Sequence, residues 1–394
     1  MNLLTNSAAL NHSDYIKGLF KGSQEVYIAV AFLKESGLNE IMAELRAYVI
    51  GGGACSIICG LDFGLTEPGA LLAVRGLSEK NPLLKLYTHV TPDKRIVFHP
   101  KCFMAIRQEE VEVIIGSANL TSGGLRNNNE CSFQVKVEKA TPFFTDMHLY
   151  FTNLLVEAKE CSLLSIFQYK TFYDEQKKAR KGTKAKPDRN AVQFNYLNLL
   201  EWLKAYRNEN DVNKMFRDKT RQYKEALIVL DAIADTPNLA KHQFIPLLEK
   251  LVGSRTEDRL WHSGSIFRKK TTVFNHPRQF QRLVQFIREH LDDTPSIVFD
   301  GAKQIVEGIE GSGVNTVTEI MMTYNPGRFA NLNKNPIKVL GEEANVHIKS
   351  SRNSFNGYDY ALYCDLVAEI SRKLGLRNML EADSFFNDIY WQIK

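Results

Sequence analysis

Between residues 26 and 137 the chain alternates short apolar runs with stretches of helical period, and few folds accommodate that alternation. Residues 26–32, 54–59 and 83–89 are dominated by apolar and β-branched side chains. Such runs read as strands buried on both faces. Between the first two, Leu38, Ile41, Met42, Leu45 and Val49 recur at helical spacing behind Ser36, a candidate helix cap. Gly51, Gly52 and Gly53 end that pattern. Thr66, Glu67 and Pro68 look like the start of a second helix. Apolar runs at 96–101, 111–116 and 131–137 follow, and 143–164 predicts a helix that closes the domain. Strands this apolar cannot face water. The reading is an α/β domain whose mixed sheet is covered by helices on both faces.

Two of these runs carry the chemistry. His99 and Lys101 are two apart, as are Ser117 and Asn119 at the end of the next run. Side chains two apart on a strand point to one face. If the runs pair, imidazole, ammonium, hydroxyl and carboxamide converge on one small volume. That set suits a phosphate: a nucleophile or proton carrier, a fixed cation, and neutral donors for the remaining oxygens. Glu130, at the head of the following run, can accept a hydrogen bond from the second imidazole nitrogen and so fix its tautomer. Pro100 removes a ladder donor, which places the pair at a strand end or bulge.

His99-Pro100-Lys101 followed by Gly116-Ser117-Ala118-Asn119 resembles the HxK…GSxN signature of the phospholipase D superfamily, and Asn119 and Glu130 are similar to the asparagine and distal acid of its nuclease branch. A bare HxK arises about once in several hundred residues by chance. His347-Ile348-Lys349 is such a case, with no GSxN after it. The joint pattern is far more specific. Where the full signature has an aspartate five residues after the lysine, this chain has Ile106. The single copy is similar to that of the bacterial nucleases and restriction endonucleases of the superfamily. The resemblance implies that His99 attacks phosphorus and forms a phosphohistidine, while Lys101, Asn119 and Ser117 stabilise the non-bridging oxygens. It implies that a second histidine protonates the leaving oxygen. With one complete motif per chain, the expected source is a homodimer with a composite active site.

The chain has 394 residues, 44% apolar and 24% charged. These proportions fit a soluble globular protein of two or three domains. No run approaches the length of a membrane span, and the start at Met1 lacks the basic and apolar pattern of a secretion signal. Six dispersed cysteines without CxxC point to a reduced, cytoplasmic protein. No metal or cofactor is expected, because metal-spaced ligands are missing and Lys101 supplies the cation. The formal net charge of +5 permits nucleic-acid binding. It is concentrated between residues 170 and 189, where eight Lys/Arg face three Asp/Glu.

These features predict a catalytic domain over 1–165, a basic linker over 166–190 and a mainly α-helical DNA-binding region over 191–394. That region divides into two subdomains, about 191–295 and 296–394. Within it, 255–274 interleaves Lys269 and Lys270 with Trp261 and Phe267, which suits a phosphate-binding surface and a loop around a core tryptophan equally. Arg278 and Arg282 share a helix face. The stretch 308–316 resembles a helix-hairpin-helix turn, in which Gly311, Gly313 and Thr316 would let backbone amides meet a phosphate. Glu310 stands where that motif usually has proline.

The functional expectation is therefore a DNA endonuclease of restriction or phage-defence type, with no membrane role. Its rivals are a phospholipase D-type lipid phosphodiesterase and a DNA-binding subunit acting with an ATPase or methyltransferase partner.

Overall fold

The computed structural model describes residues 1–7, 10–62, 64–91, 96–180, 197–209, 211–254, 258–261, 264–349 and 351–394. The chain forms two compact units, Met1–Phe194 and Asn195–Lys394.

The first unit runs β1 (Asn2–Leu4), α1 (His12–Leu19), β2 (Glu25–Val30), α2 (Glu35–Ile50), β3 (Ala54–Gly60), α3 (Pro68–Lys80) and β4 (Leu84–His89). It continues with β5 (Lys101–Ile106), β6 (Glu110–Gly116), β7 (Ser132–Glu138), α4 (Pro142–Glu157), β8 (Lys159–Glu160) and α5 (Leu163–Arg180). The eight strands make one mixed sheet, in the order β1-β7-β6-β5-β2-β3-β4-β8. β2, β3 and β4 are parallel, joined by α2 and α3, while β5, β6 and β7 are antiparallel hairpin partners. β5 closes the two halves by pairing antiparallel with β2, Val30 opposite Lys101.

Strand alternation sorts the core onto two faces. On one, Val26, Ile28, Cys55, Ile57, Phe103 and Ile114 pack against α1, α2, α3 and α5. On the other, Ala29, Ile58, Met104, Val111 and Val113 meet Met147 and Phe151 of α4. Ile106 belongs to this second cluster. An aspartate at that position would sit among apolar side chains with its charge desolvated.

Two expectations need correction. The stretch from 166 is not a linker as far as Arg180. It is helix α5, because Ile166, Tyr169 and Phe172 lie at helical spacing and bury against the first face. Tyr169 further donates to the carbonyl of Thr66 at 2.7 Å. The remaining basic positions 181–190 lie outside the described residues. α2 begins at Glu35, so Ser36 does not cap it. Its hydroxyl instead accepts the amide of Ser122 at 3.3 Å.

The second unit is helical among the described residues: α6 (Leu197–Glu209), α7 (Val212–Asp235), α8 (Lys241–Val252), α9 (Gly264–Val273), α10 (Pro277–Glu289), α11 (Pro295–Val306), α12 (Val314–Tyr324), α13 (Lys334–Glu343), α14 (Gly357–Leu374) and α15 (Met379–Gln392). Phe280, Phe299, Phe329, Tyr360 and Phe385 are fully buried there. α12 is nearly all interior, and its Glu319 accepts hydrogen bonds from Tyr223 and Asn331. Burial and the neighbouring Asp383 raise the Glu319 carboxyl above the usual range. No helix among the described residues is long and apolar enough to cross a membrane. The six cysteines are free thiols, five of them buried and Cys131 exposed.

Candidate active site

The motif residues meet at one end of the central strands. The C-terminal ends of β2 and β6 lie there beside the N-terminal ends of β5 and β7. Pro100 ends the approach to β5 without loss of pairing, because its carbonyl accepts the amide of Ala31 at 2.8 Å. Phe98 anchors that approach. It is buried, stacks on His89 at 4.5 Å between ring centroids, and donates its amide to Asp62 at 2.8 Å. With Phe98 held inward, His99 is turned to solvent. The Lys101 ammonium lies 2.7 Å from His99 Nδ1, 3.0 Å from Nε2 and 3.0 Å from the His99 carbonyl oxygen.

β6 delivers the second half. Ser117 Oγ accepts the Cys131 amide at 2.9 Å and donates to Glu130. Asn128 Nδ2 donates to the other oxygen of Glu130 at 3.2 Å. Asn119 Oδ1 accepts the amide of Phe32 at 3.1 Å. Among the described residues its Nδ2 has no partner, which leaves it able to donate to a bound oxygen. The two glycines of this loop are steric necessities. A Cβ at Gly116 would lie 2.2 Å from Ser132 Oγ, and one at Gly124 would lie 2.4 Å from the carbonyl oxygen of Asn119.

The five motif residues are thus assembled, but two contacts differ from expectation. Glu130 is bonded to Ser117 and Asn128 rather than to His99. The Ser117 hydroxyl hydrogen is committed to Glu130, so this side chain tethers the acid rather than pointing outward as an oxyanion donor. Phe32 escaped the sequence reading. Its ring meets His99 edge-on at 6.0 Å while its amide holds Asn119, so it links the two halves. The only signal was its place at the end of an apolar run.

Electrostatics favour a neutral nucleophile. Burial and then the Lys101 charge hold the His99 imidazole below the ordinary histidine range. Burial likewise lowers the Lys101 ammonium, against the pull of Glu130. Exchanging Lys101 for Met removes the second of the two causes at His99. The midpoint of the His99 ring, read by NMR titration of its carbon-bound protons, should therefore move up toward that of free histidine without reaching it. A midpoint that stays or falls contradicts the arrangement.

The residues singled out in the second unit fare differently. Trp261 is a core residue, with Nε1 donating to Thr323 Oγ1 at 3.0 Å. Residues 264–273 are helix α9 rather than a loop. Lys269 is exposed, whereas Lys270 turns inward to the carbonyl of Gly253 at 2.8 Å and to Glu249. Arg278 and Arg282 are exposed along α10. α11 and α12 flank this turn, and its Gly311 has φ +90°, a conformation that favours glycine. That turn packs on α9, where a Gly311 Cβ would meet the Lys269 carbonyl oxygen at 3.2 Å. Gly313 is the N-cap of α12 with open space beside it. Thr316 is buried and offers no hydroxyl to a phosphate, which corrects its assignment. The other HxK is no second site, because Lys349 is bound by Asp359 and by the carbonyl of Ser354.

No family model and no curated protein matches this chain. Among solved structures it is similar to NucT from Helicobacter pylori, with 17% identity and a TM-score of 0.32 over 41% of this chain and 98% of that one. It is similar to Nuc from Salmonella typhimurium, a phospholipase D family member, at 16% identity and a TM-score of 0.32, covering 41% and 96%. A phosphatidylserine synthase from Haemophilus influenzae Rd KW20 follows, at 12% identity and a TM-score of 0.33, covering 46% of each chain. All three similarities are weak. They concern the architecture of less than half the chain, and the chemistry rests on the residues described above.

Proposed function

We propose that this chain is a phosphodiesterase that cuts DNA without a metal, through a covalent phosphohistidine. The observation that carries the reading is the convergence of His99, Lys101, Ser117, Asn119 and Glu130 at one end of the central strands, with an exposed imidazole and the Asn119 Nδ2 left to donate. His99 attacks phosphorus, so that a P–N bond forms as the P–O bond to the leaving sugar breaks. The leaving oxygen takes a proton from a second histidine. That histidine then removes a proton from water, whose oxygen displaces His99 and restores the free ring. Lys101 and Asn119 Nδ2 hold the non-bridging oxygens.

The second histidine comes from a second copy of the chain. Within the first unit His12 is fully buried, His89 is packed on Phe98, and His148 lies on α4 against Phe144. Beside the site, Leu3, Phe133 and Ile115 stand in register on β1, β7 and β6. They share one face and are 45%, 49% and 40% exposed. This apolar row suits a two-fold contact that would bring two His99–Lys101 pairs to one centre.

The exposed Lys269, Arg278 and Arg282 and the Gly311–Gly313 turn support DNA contact by the helical unit. A catalytic unit followed by a separate helical unit supports a restriction or phage-defence role, in which an ATPase or methyltransferase partner would act with it. The test is purified protein in EDTA, given plasmid, single-stranded DNA and phosphatidylcholine vesicles. Cleavage of DNA is expected. Turnover of lipid alone would replace the reading with a phospholipase, and DNA binding without cleavage would replace it with a binding subunit.

A further inference from the structure

His12, the first residue of α1, is fully buried, yet both of its ring nitrogens are engaged. Nδ1 lies 2.7 Å from Asn6 Oδ1 and Nε2 lies 2.8 Å from Ser132 Oγ. The tautomer follows from Asn6. Its amide nitrogen donates to the carbonyls of Gly124 and Asn128, each at 3.0 Å, so its oxygen faces His12 as an acceptor. Nδ1 therefore carries the hydrogen, and in the neutral ring Nε2 accepts from the Ser132 hydroxyl. Burial favours that neutral ring, against the opposing pull of Glu130.

The two arms of this network end on either side of Glu130. Through Asn6, His12 reaches the carbonyl of Asn128, whose side chain donates to Glu130. Through Ser132 it reaches the first residue of β7, two positions beyond Glu130. Asn6 adopts φ +58°, a conformation uncommon for residues other than glycine. Its side-chain bonds to His12, Gly124 and Asn128 hold it there. Ser132 also abuts Gly116, the first residue of the GSxN turn, with no room for a Cβ between them.

We propose that His12 is a positioning residue for phosphodiester cleavage: it grips residues 128 and 132, and so keeps Glu130 on Ser117 and at a fixed place in the field of Lys101. The inference rests on the reading of this site as a phosphodiesterase. His12 is sealed from substrate, so it moves no proton in the reaction. Its loss frees the 128–132 segment and lets the Glu130 carboxylate drift toward the ammonium that a phosphate needs.

The experiment compares full-length wild type, His12→Ala, His12→Gln, Glu130→Gln and the His12→Ala/Glu130→Gln double variant on plasmid DNA. Amide hydrogen exchange is followed in parallel. His12→Ala should lower kcat by roughly 10- to 100-fold with KM unchanged. His12→Gln should recover most of the rate, since a carboxamide can donate to Asn6 and accept from Ser132. The double variant should be no slower than Glu130→Gln alone, because His12 acts through that residue. Additive losses, or a wild-type kcat in His12→Ala, overturn the proposal. If the alanine variant does not fold, the glutamine variant decides, and a rate as low as an unfolded control overturns it. If wild type cleaves no phosphodiester, the proposed function fails, and exchange alone judges the positioning. Faster exchange confined to the 128–132 amides of the variant upholds it, and unchanged exchange there refutes it.

Discussion

Replacing His99 with alanine is expected to lower DNA cleavage by roughly 10⁴- to 10⁶-fold, the loss seen when a covalent nucleophile is removed from a concerted site. Folding should be almost untouched. His99 is exposed and its segment is anchored by Phe98, buried on His89 and bonded to Asp62. Surface substitutions of this kind shift stability by no more than about 0.5 kcal/mol. DNA affinity should also persist, since Lys101 and the basic residues of the helical unit remain. The check is a single-turnover rate beside a thermal melt and a binding titration. A wild-type rate in the variant would show that another group attacks phosphorus.

The second large effect concerns mixtures. If two copies of the chain share one centre, a dimer holding one wild-type and one His99→Ala chain lacks either the nucleophile or the leaving-group acid. Such a heterodimer should be almost inactive. When the two proteins are dissociated and reassembled together, activity should fall with the square of the wild-type fraction. The row Leu3, Phe133 and Ile115 gives a companion test. Phe133→Glu places a charge in the proposed contact and should yield a monomer with little activity. A linear decline in the mixtures, or a monomer that still cuts, would place the second histidine within the chain.

Much of the fold was legible because the strands are extreme in composition. β2, β3 and β4 begin within a residue of the apolar runs, since buried parallel strands leave few positions for charge. The motif was legible for a different reason: its spacing of two survives any error in strand boundaries. What escaped detection depends on contacts between distant residues. β1 is only three residues long and exists through its pairing with β7. α5 hid behind its charges, which occupy the outer face of a helix whose inner face holds Tyr169 and Phe172. Glu130 was expected on His99, yet its place is set by Ser117 and Asn128, a choice that no spacing encodes. His12 carries no local signal, because its partners Asn6 and Ser132 meet only once β1 and β7 pair. Thr316 fits a hairpin pattern in sequence, but the apolar residues around it draw α12 inward.

One covalent bond, between His99 and phosphorus, decides the mechanism. Wild-type protein would be quenched during turnover of DNA in EDTA, and its peptides weighed by mass spectrometry. The expected result is a nucleotide joined to the peptide that contains His99 through a P–N (phosphoramidate) bond, absent from the His99→Ala variant. Turnover that leaves that peptide unmodified at every quench time, or cleavage that requires an added divalent metal, would contradict the mechanism.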